Sequence, residues 1–204
     1  MAAFFSNLRN TIVAGVVLIV AVIILVGITV RFPSFGHDWF LFLIRALHIL
    51  SGIMWIGLLY YFNFVSTPSM PKIPDEQKPA LSKVITPTAL FWFRWGAMST
   101  IFFGIGLAAM NGYLLEAYTL DAMEGFINYN FLMIGIGMWL GTIMWFNVWF
   151  VIWPNQKIAL GLVDAPADAK PKAARTAGMF SRINTMLSLP MLYCMVAQSH
   201  GGLI

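Results

Sequence analysis

Phe40-Leu-Phe-Leu-Ile-Arg45-Ala-Leu-His48-Ile-Leu-Ser-Gly52-Ile-Met-Trp55-Ile-Gly-Leu-Leu-Tyr-Tyr-Phe62 decides the reading of this chain. The run is long enough to cross a bilayer core, which needs about 20 helical residues, yet it carries an arginine and a histidine. Ionisable groups at that depth are costly, so Arg45 and His48 are functional candidates by default. At 100° per residue, Arg45, His48, Gly52, Trp55, Leu59 and Asn63 fall within about 80° of one another, a polar face that would turn toward a bundle interior. A neutral buried imidazole is commonly a metal ligand, and among apolar helices the metal is often haem iron. On this reading His48 ligates, Gly52 and Trp55 border a flat macrocycle or a neighbouring helix, and Arg45 pairs with a propionate. The same stripe also reads as one that only hydrogen-bonds its neighbours and holds nothing.

Composition fixes the class. Of 204 residues, 60% are hydrophobic and 10% charged, with 13 Met and 17 Phe and a mean hydropathy of +0.81. That is too apolar for a soluble domain and reads as an all-α integral membrane bundle, a single transmembrane domain over residues 1–204. Five spans are expected, at about 12–30, 40–64, 89–110, 130–153 and 183–199. The first ends at Arg31 without a small-x-small cleavage pattern and reads as an uncleaved span. The single cysteine, Cys194, excludes an internal disulfide and the Cys-x-x-Cys-His attachment of c-type haem.

The net charge of +4 is a topology signal and does not call for nucleic acid. Lys72, Lys78 and Lys83 lie between spans two and three, and Lys157, Lys170, Lys172 and Arg175 between four and five. The connection after span three carries Glu116, Asp121 and Glu124 and no basic residue. The positive-inside rule then puts the N-terminus in the cytoplasm and the C-terminus outside. All three histidines fall toward the outer side: His37 in a short loop, His48 roughly 12 Å along its span, and His200 at the end of span five. For His200 to serve as a second axial ligand, Gly201 and Gly202 would have to turn the tail back over the bundle.

The remaining features are quieter. Gly135, Gly137 and Gly141 predict close packing of span four on another helix. Trp92, Trp95, Trp145, Trp149 and Trp153 read as interfacial belts, and the methionines as filler. Five prolines between Val65 and Pro87 predict an extended connection with at most a short helix over 75–84, and residues 163–177 a polar linker with a short helix at most. No phosphate cradle, Ser–His–Asp order or paired carboxylate appears at membrane depth, so nothing supports hydrolysis or nucleotide binding.

Three ordered blocks resemble a known family. Arg45-Ala-Leu-His-Ile-Leu-Ser-Gly-Ile-Met-Trp-Ile-Gly57 is similar to the Arg-Trp-Leu-His-x-x-x-Gly-Ile-x-Trp-Ile-Gly segment of the urate oxidase N-terminal membrane domain, found in bacterial urate hydroxylases. Asn147-Val-Trp-Phe-Val-Ile-Trp-Pro-Asn-Gln-Lys157 resembles its Asn-Val-x-x-x-Ile-x-Pro-Asn-Gln block. Ser188-Leu-Pro190 with Ser199-His200 resembles its closing Thr-Leu-Pro and Asn-His. A weaker likeness extends to small membrane haem proteins such as the bacterial membrane protoporphyrinogen oxidase. The chain departs from the pattern in having Ile183-Asn184 where the family has His-Asn, and in carrying no Cys-x-x-Cys-His, the mark of the cytochrome c domain that follows the membrane part in the family.

The resemblance implies a membrane cytochrome b-like electron-transfer or oxidoreductase subunit, with haem b held by His48 and His200. Its partners would be the lipid bilayer and either other membrane subunits or an external cytochrome. Urate oxidation by this chain alone is not expected. The alternative is a haem-free accessory subunit of a larger membrane complex.

Overall fold

The computed structural model describes residues 2–200, with side chains from Phe4 onward, and among these every regular element is helical. The chain divides into two compact units, residues 1–43 and 44–204.

In the first unit, helix α1 (Leu8–Thr29) starts at Asn7, whose side-chain oxygen caps the Arg9 amide. Of its residues only Gly27 is buried. A Cβ there would run into the Phe32 ring, so glycine lets the chain fold back at the helix end. Helix α2 (His37–Tyr60) opens with His37 as its first residue, so the outer loop expected to hold that histidine ends one residue before it.

The second unit begins within α2. The prolines that predict an extended connection over 65–87 do not end the helix. It passes through a π-helical segment, Tyr61–Ser66, and runs on to Lys72. Helical structure resumes at Lys78, passes a second π segment, Leu81–Ile85, and enters α3 (Thr86–Met110). A third π segment, Asn147–Ile152, extends α5 (Tyr129–Phe146) into a final turn, Trp153–Ala159. Each π segment stops two residues before a proline, at Pro68, Pro87 and Pro154. The residue between them donates its amide five back, Thr67 to Phe62, Thr86 to Leu81 and Trp153 to Val148. Proline has no N–H and its ring crowds the carbonyl four residues back; widening the turn relieves that crowding without breaking the helix. Asn63 and Asn155 take up the carbonyls of Leu59 and Val151 through their side-chain amides, both four residues back.

A short helix α4 (Leu114–Tyr118) follows α3, and α6 (Ala169–His200) closes the chain. The expected polar linker over 163–177 is therefore helical from Ala169 onward, since Ala-rich sequence between the lysines propagates helix well. Four helical runs, Leu8–Thr29, His37–Lys72, Lys78–Met110 and Tyr129–Ala159, are long and apolar enough to cross a membrane. The fifth expected span forms the C-terminal half of α6.

Packing follows the small residues. A Cβ on Gly137 would sit 3.1 Å from Cys194 Cβ, so α5 and α6 meet at close range. Gly135 admits the Ala117 carbonyl of α4, where a Cβ would collide with it. The glycine ladder thus packs as predicted. Trp55, Leu59, Phe93, Met144 and Val148 fill the core.

Candidate functional site

Two polar seams run through the second unit. The outer one lies between α2 and α3, where glycines on α3 receive side chains of α2. Gly96 faces the Trp55 backbone, Thr100 lies beside Gly52, and Gly104 receives the His48 ring, so the helices run antiparallel. A Cβ on Gly104 would stand 2.9 Å from His48 Cε1 and 3.1 Å from Nδ1; only glycine accommodates the imidazole where it lies. His48 Nδ1 is 2.9 Å from the Thr100 carbonyl oxygen. A carbonyl can only accept, so Nδ1–H donates, and in the neutral ring the lone pair resides on Nε2. Thr100 in turn donates its hydroxyl to the Gly96 carbonyl at 2.7 Å, which ties the same stretch of α3 to itself.

The other sequence-predicted residues divide between this seam and its surroundings. Gly52 and Trp55 share it with His48. Trp55 is 1% exposed in the core, its backbone lies against Gly96, and its Nε1 has no hydrogen-bond partner. Arg45, one turn outward, is exposed. Its charge reaches Tyr113 beyond the end of α3, where burial pushes the phenol pKa up and Arg45 partly offsets the rise. His200 is exposed at the end of α6, with Nδ1 3.2 Å from the Val196 carbonyl, so it too carries its lone pair on Nε2. Cys194, six residues earlier, is level with Gly137, which puts His200 about 9 Å farther out along the helix. Gly201 and Gly202, needed to turn the tail back, lie outside the described residues.

The inner seam is built on α6. Asn184, fully buried, donates to the Met144 carbonyl at 2.9 Å and accepts from Asn147 at 2.8 Å. Ser188 donates to the Thr185 carbonyl at 2.7 Å, so the 2.9 Å bond between Tyr60 and Ser188 must have the phenol as donor. Asn63, in the first π segment, reaches Ser181 at 2.8 Å. Beside this network Arg94 is buried in α3, its guanidinium carbon 3.3 Å from the Trp153 ring centroid. Its Nε and Nη1 have no hydrogen-bond partner.

Sequence reasoning passed over Arg94, although an arginine inside an apolar run is the same signal that marked Arg45. The tryptophans around it are also not purely interfacial. Trp153 stacks on Arg94, and Trp149 packs edge-on against Trp95 with centroids 5.6 Å apart.

Two cavities adjoin the inner seam. One, of about 40 Å³, is lined by Asn63, Thr67, Gln156, Ser181 and Arg182 among apolar neighbours. The other is an open groove of about 650 Å³ along α6, lined by Thr67, Arg175, Gly178, Met179, Arg182, Ile183 and Met186, with Ala174. Ile183, where the resemblance expects a histidine, thus lines the groove, and its neighbour Asn184 is locked in the network. No group of three or more His, Cys, Asp or Glu residues suited to a metal occurs among the described residues.

Comparison with family models matches residues 123–203 to the urate oxidase N-terminal family. The matched region contains the inner-seam residues Asn147, Asn184 and Ser188 and reaches His200, and it does not extend to His48. No curated protein and no solved structure matches the chain.

Proposed function

We propose that this chain, whose residues 123–203 match the urate oxidase N-terminal family model, is a membrane electron-transfer subunit carrying b-type haem, with His48 as an iron ligand. One observation carries the reading: His48 gives its Nδ1–H to the Thr100 carbonyl and so keeps Nε2 as a neutral donor, the orientation expected of a ligating histidine. Bound haem would supply one-electron chemistry between ferric and ferrous iron. The residues of this chain would do the rest. Thr100 and Gly104 hold the imidazole in one orientation, Trp55 excludes water from the inner side, and exposed Arg45 offers a cation for a propionate. His200, also with a lone pair on Nε2, would be the candidate second iron ligand if the end of α6 approaches His48.

Electrons would be exchanged with an external cytochrome or another membrane subunit. The lysine-rich connections support an inner-membrane orientation with the N-terminus in the cytoplasm. The test is an absorption spectrum of the full chain, purified in detergent after haem-replete expression, oxidised and then dithionite-reduced. A b-type Soret and α band at about one haem per chain supports the proposal; protein that remains haem-free overturns it. The haem-free accessory reading draws on the fit of the His48 ring into the Gly104 notch, which is a complete packing contact in itself.

A further inference from the structure

We infer that the open groove along α6 binds an anionic phospholipid, its phosphate between Arg175 and Arg182 and an acyl chain along Met179, Ile183 and Met186. The inference rests on the membrane-spanning reading and not on haem. Arg175 and Arg182 are seven residues apart, two turns on one face of α6, and both line the groove and are exposed. Neither has an acidic partner; the ion pair found among the described residues is Lys78 with Asp75. Between the arginines a Cβ built on Gly178 meets nothing within 4 Å, so the helix surface there is open to a headgroup. Thr67 adds a hydroxyl to the lining, carried there because the helix continues past the first π segment.

The rest of the wall is apolar. Met179 is 54% exposed and Met186 63%, and Leu189, one turn beyond Met186, is exposed as well. A small soluble anion would make no use of that wall, and a zwitterionic lipid would leave two guanidinium groups without a counter-charge. Two cations at the membrane surface beside an apolar track match an anionic headgroup with its chain.

The experiment uses the full chain, purified in detergent and stripped of lipid. It is equilibrated with mixed micelles of equal phosphatidylglycerol and phosphatidylcholine and re-isolated, and the retained lipids are quantified. Each arginine should contribute roughly fivefold, so phosphatidylglycerol should be retained about 25-fold over phosphatidylcholine. The R175Q/R182Q variant should lose that preference. G178L, which fills the groove without changing charge, should lose it too, whereas K170Q/K172Q, which removes the same charge at exposed positions outside the groove, should keep it. Equal retention of the two lipids by the unaltered chain, or an equal loss in K170Q/K172Q, overturns the inference. Release of the bound lipid by millimolar inorganic phosphate would identify a soluble-anion site and overturn it as well. Haem content is not the readout, so the outcome leaves the His48 proposal to its own test.

Discussion

The outer seam between α2 and α3 and the inner seam on α6 place polar side chains among apolar helices in opposite ways. In the inner seam the donors answer one another: Asn147 to Asn184, Asn184 to the Met144 carbonyl, Tyr60 to Ser188, Ser188 to Thr185. In the outer seam His48 gives one N–H to one carbonyl and keeps a lone pair. A saturated network holds geometry, because any change leaves a buried group unpaired. A ring with capacity to spare can hold something else. Polarity among apolar helices is therefore not function by itself; the group whose bonding capacity exceeds its protein partners is the one to follow.

The contrast can be broken at several points. Asn184→Leu should have the largest effect on stability, since it strands the Asn147 side-chain amide and removes the side-chain donor to the Met144 carbonyl. A loss of about 2–4 kcal/mol is expected in denaturation of the detergent-solubilised protein. A loss below measurement error would mean that the inner seam does not hold the fold. Gly104→Val should cost about 1–3 kcal/mol by driving a side chain into the His48 ring. Gly106→Val is its control, since a Cβ there meets nothing within 4 Å, and equal losses in the two would discount the notch.

Arg94→Met sharpens the comparison from the other side. Its Nε and Nη1 are already unpaired, so removing the charge relieves a burial cost while it gives up the stacking on Trp153. The two should cancel to within about 1 kcal/mol; a larger loss would place Arg94 in a network of its own.

The smallest effect is expected at Asp75. The Lys78 ammonium, hydrogen-bonded to it at 2.6 Å, holds its carboxyl below the usual carboxylate range. A depressed carboxyl contributes above its ordinary pKa, and that contribution is lost as the pH falls through and below that range. Because the pair is exposed, Asp75→Asn should leave the melting temperature unchanged at neutral pH and slightly flatten its acid limb. A clear drop at neutral pH would show that the turn contributes more than its exposure allows.

Much of this molecule was legible in the sequence because apolar length and small-residue spacing are local properties. The run from Phe40 to Phe62 is helical as read, and Gly135, Gly137 and Gly141 pack against α4, α6 and α3 as a close-contact ladder would. Pro68, Pro87 and Pro154 misled, because a proline can be absorbed by a π segment, and that outcome depends on side chains such as Asn63 and Asn155 taking up carbonyls. The inner seam was invisible for a different reason. Asn147, Asn184 and Ser188 acquire meaning only from a partner 37 to 128 residues away in sequence, and a single helix face does not reveal it. At His48 the sequence marked the residue, and the fold supplied the carbonyl and glycine that orient it.

The central claim is tested most directly at His48 by comparing reduced-minus-oxidised spectra of the unaltered chain and His48→Gly, each with and without added imidazole. The account predicts a b-type α band in the unaltered chain, its loss in His48→Gly, and its return when free imidazole enters the space beside Gly104. An α band of equal height in His48→Gly without imidazole would contradict it.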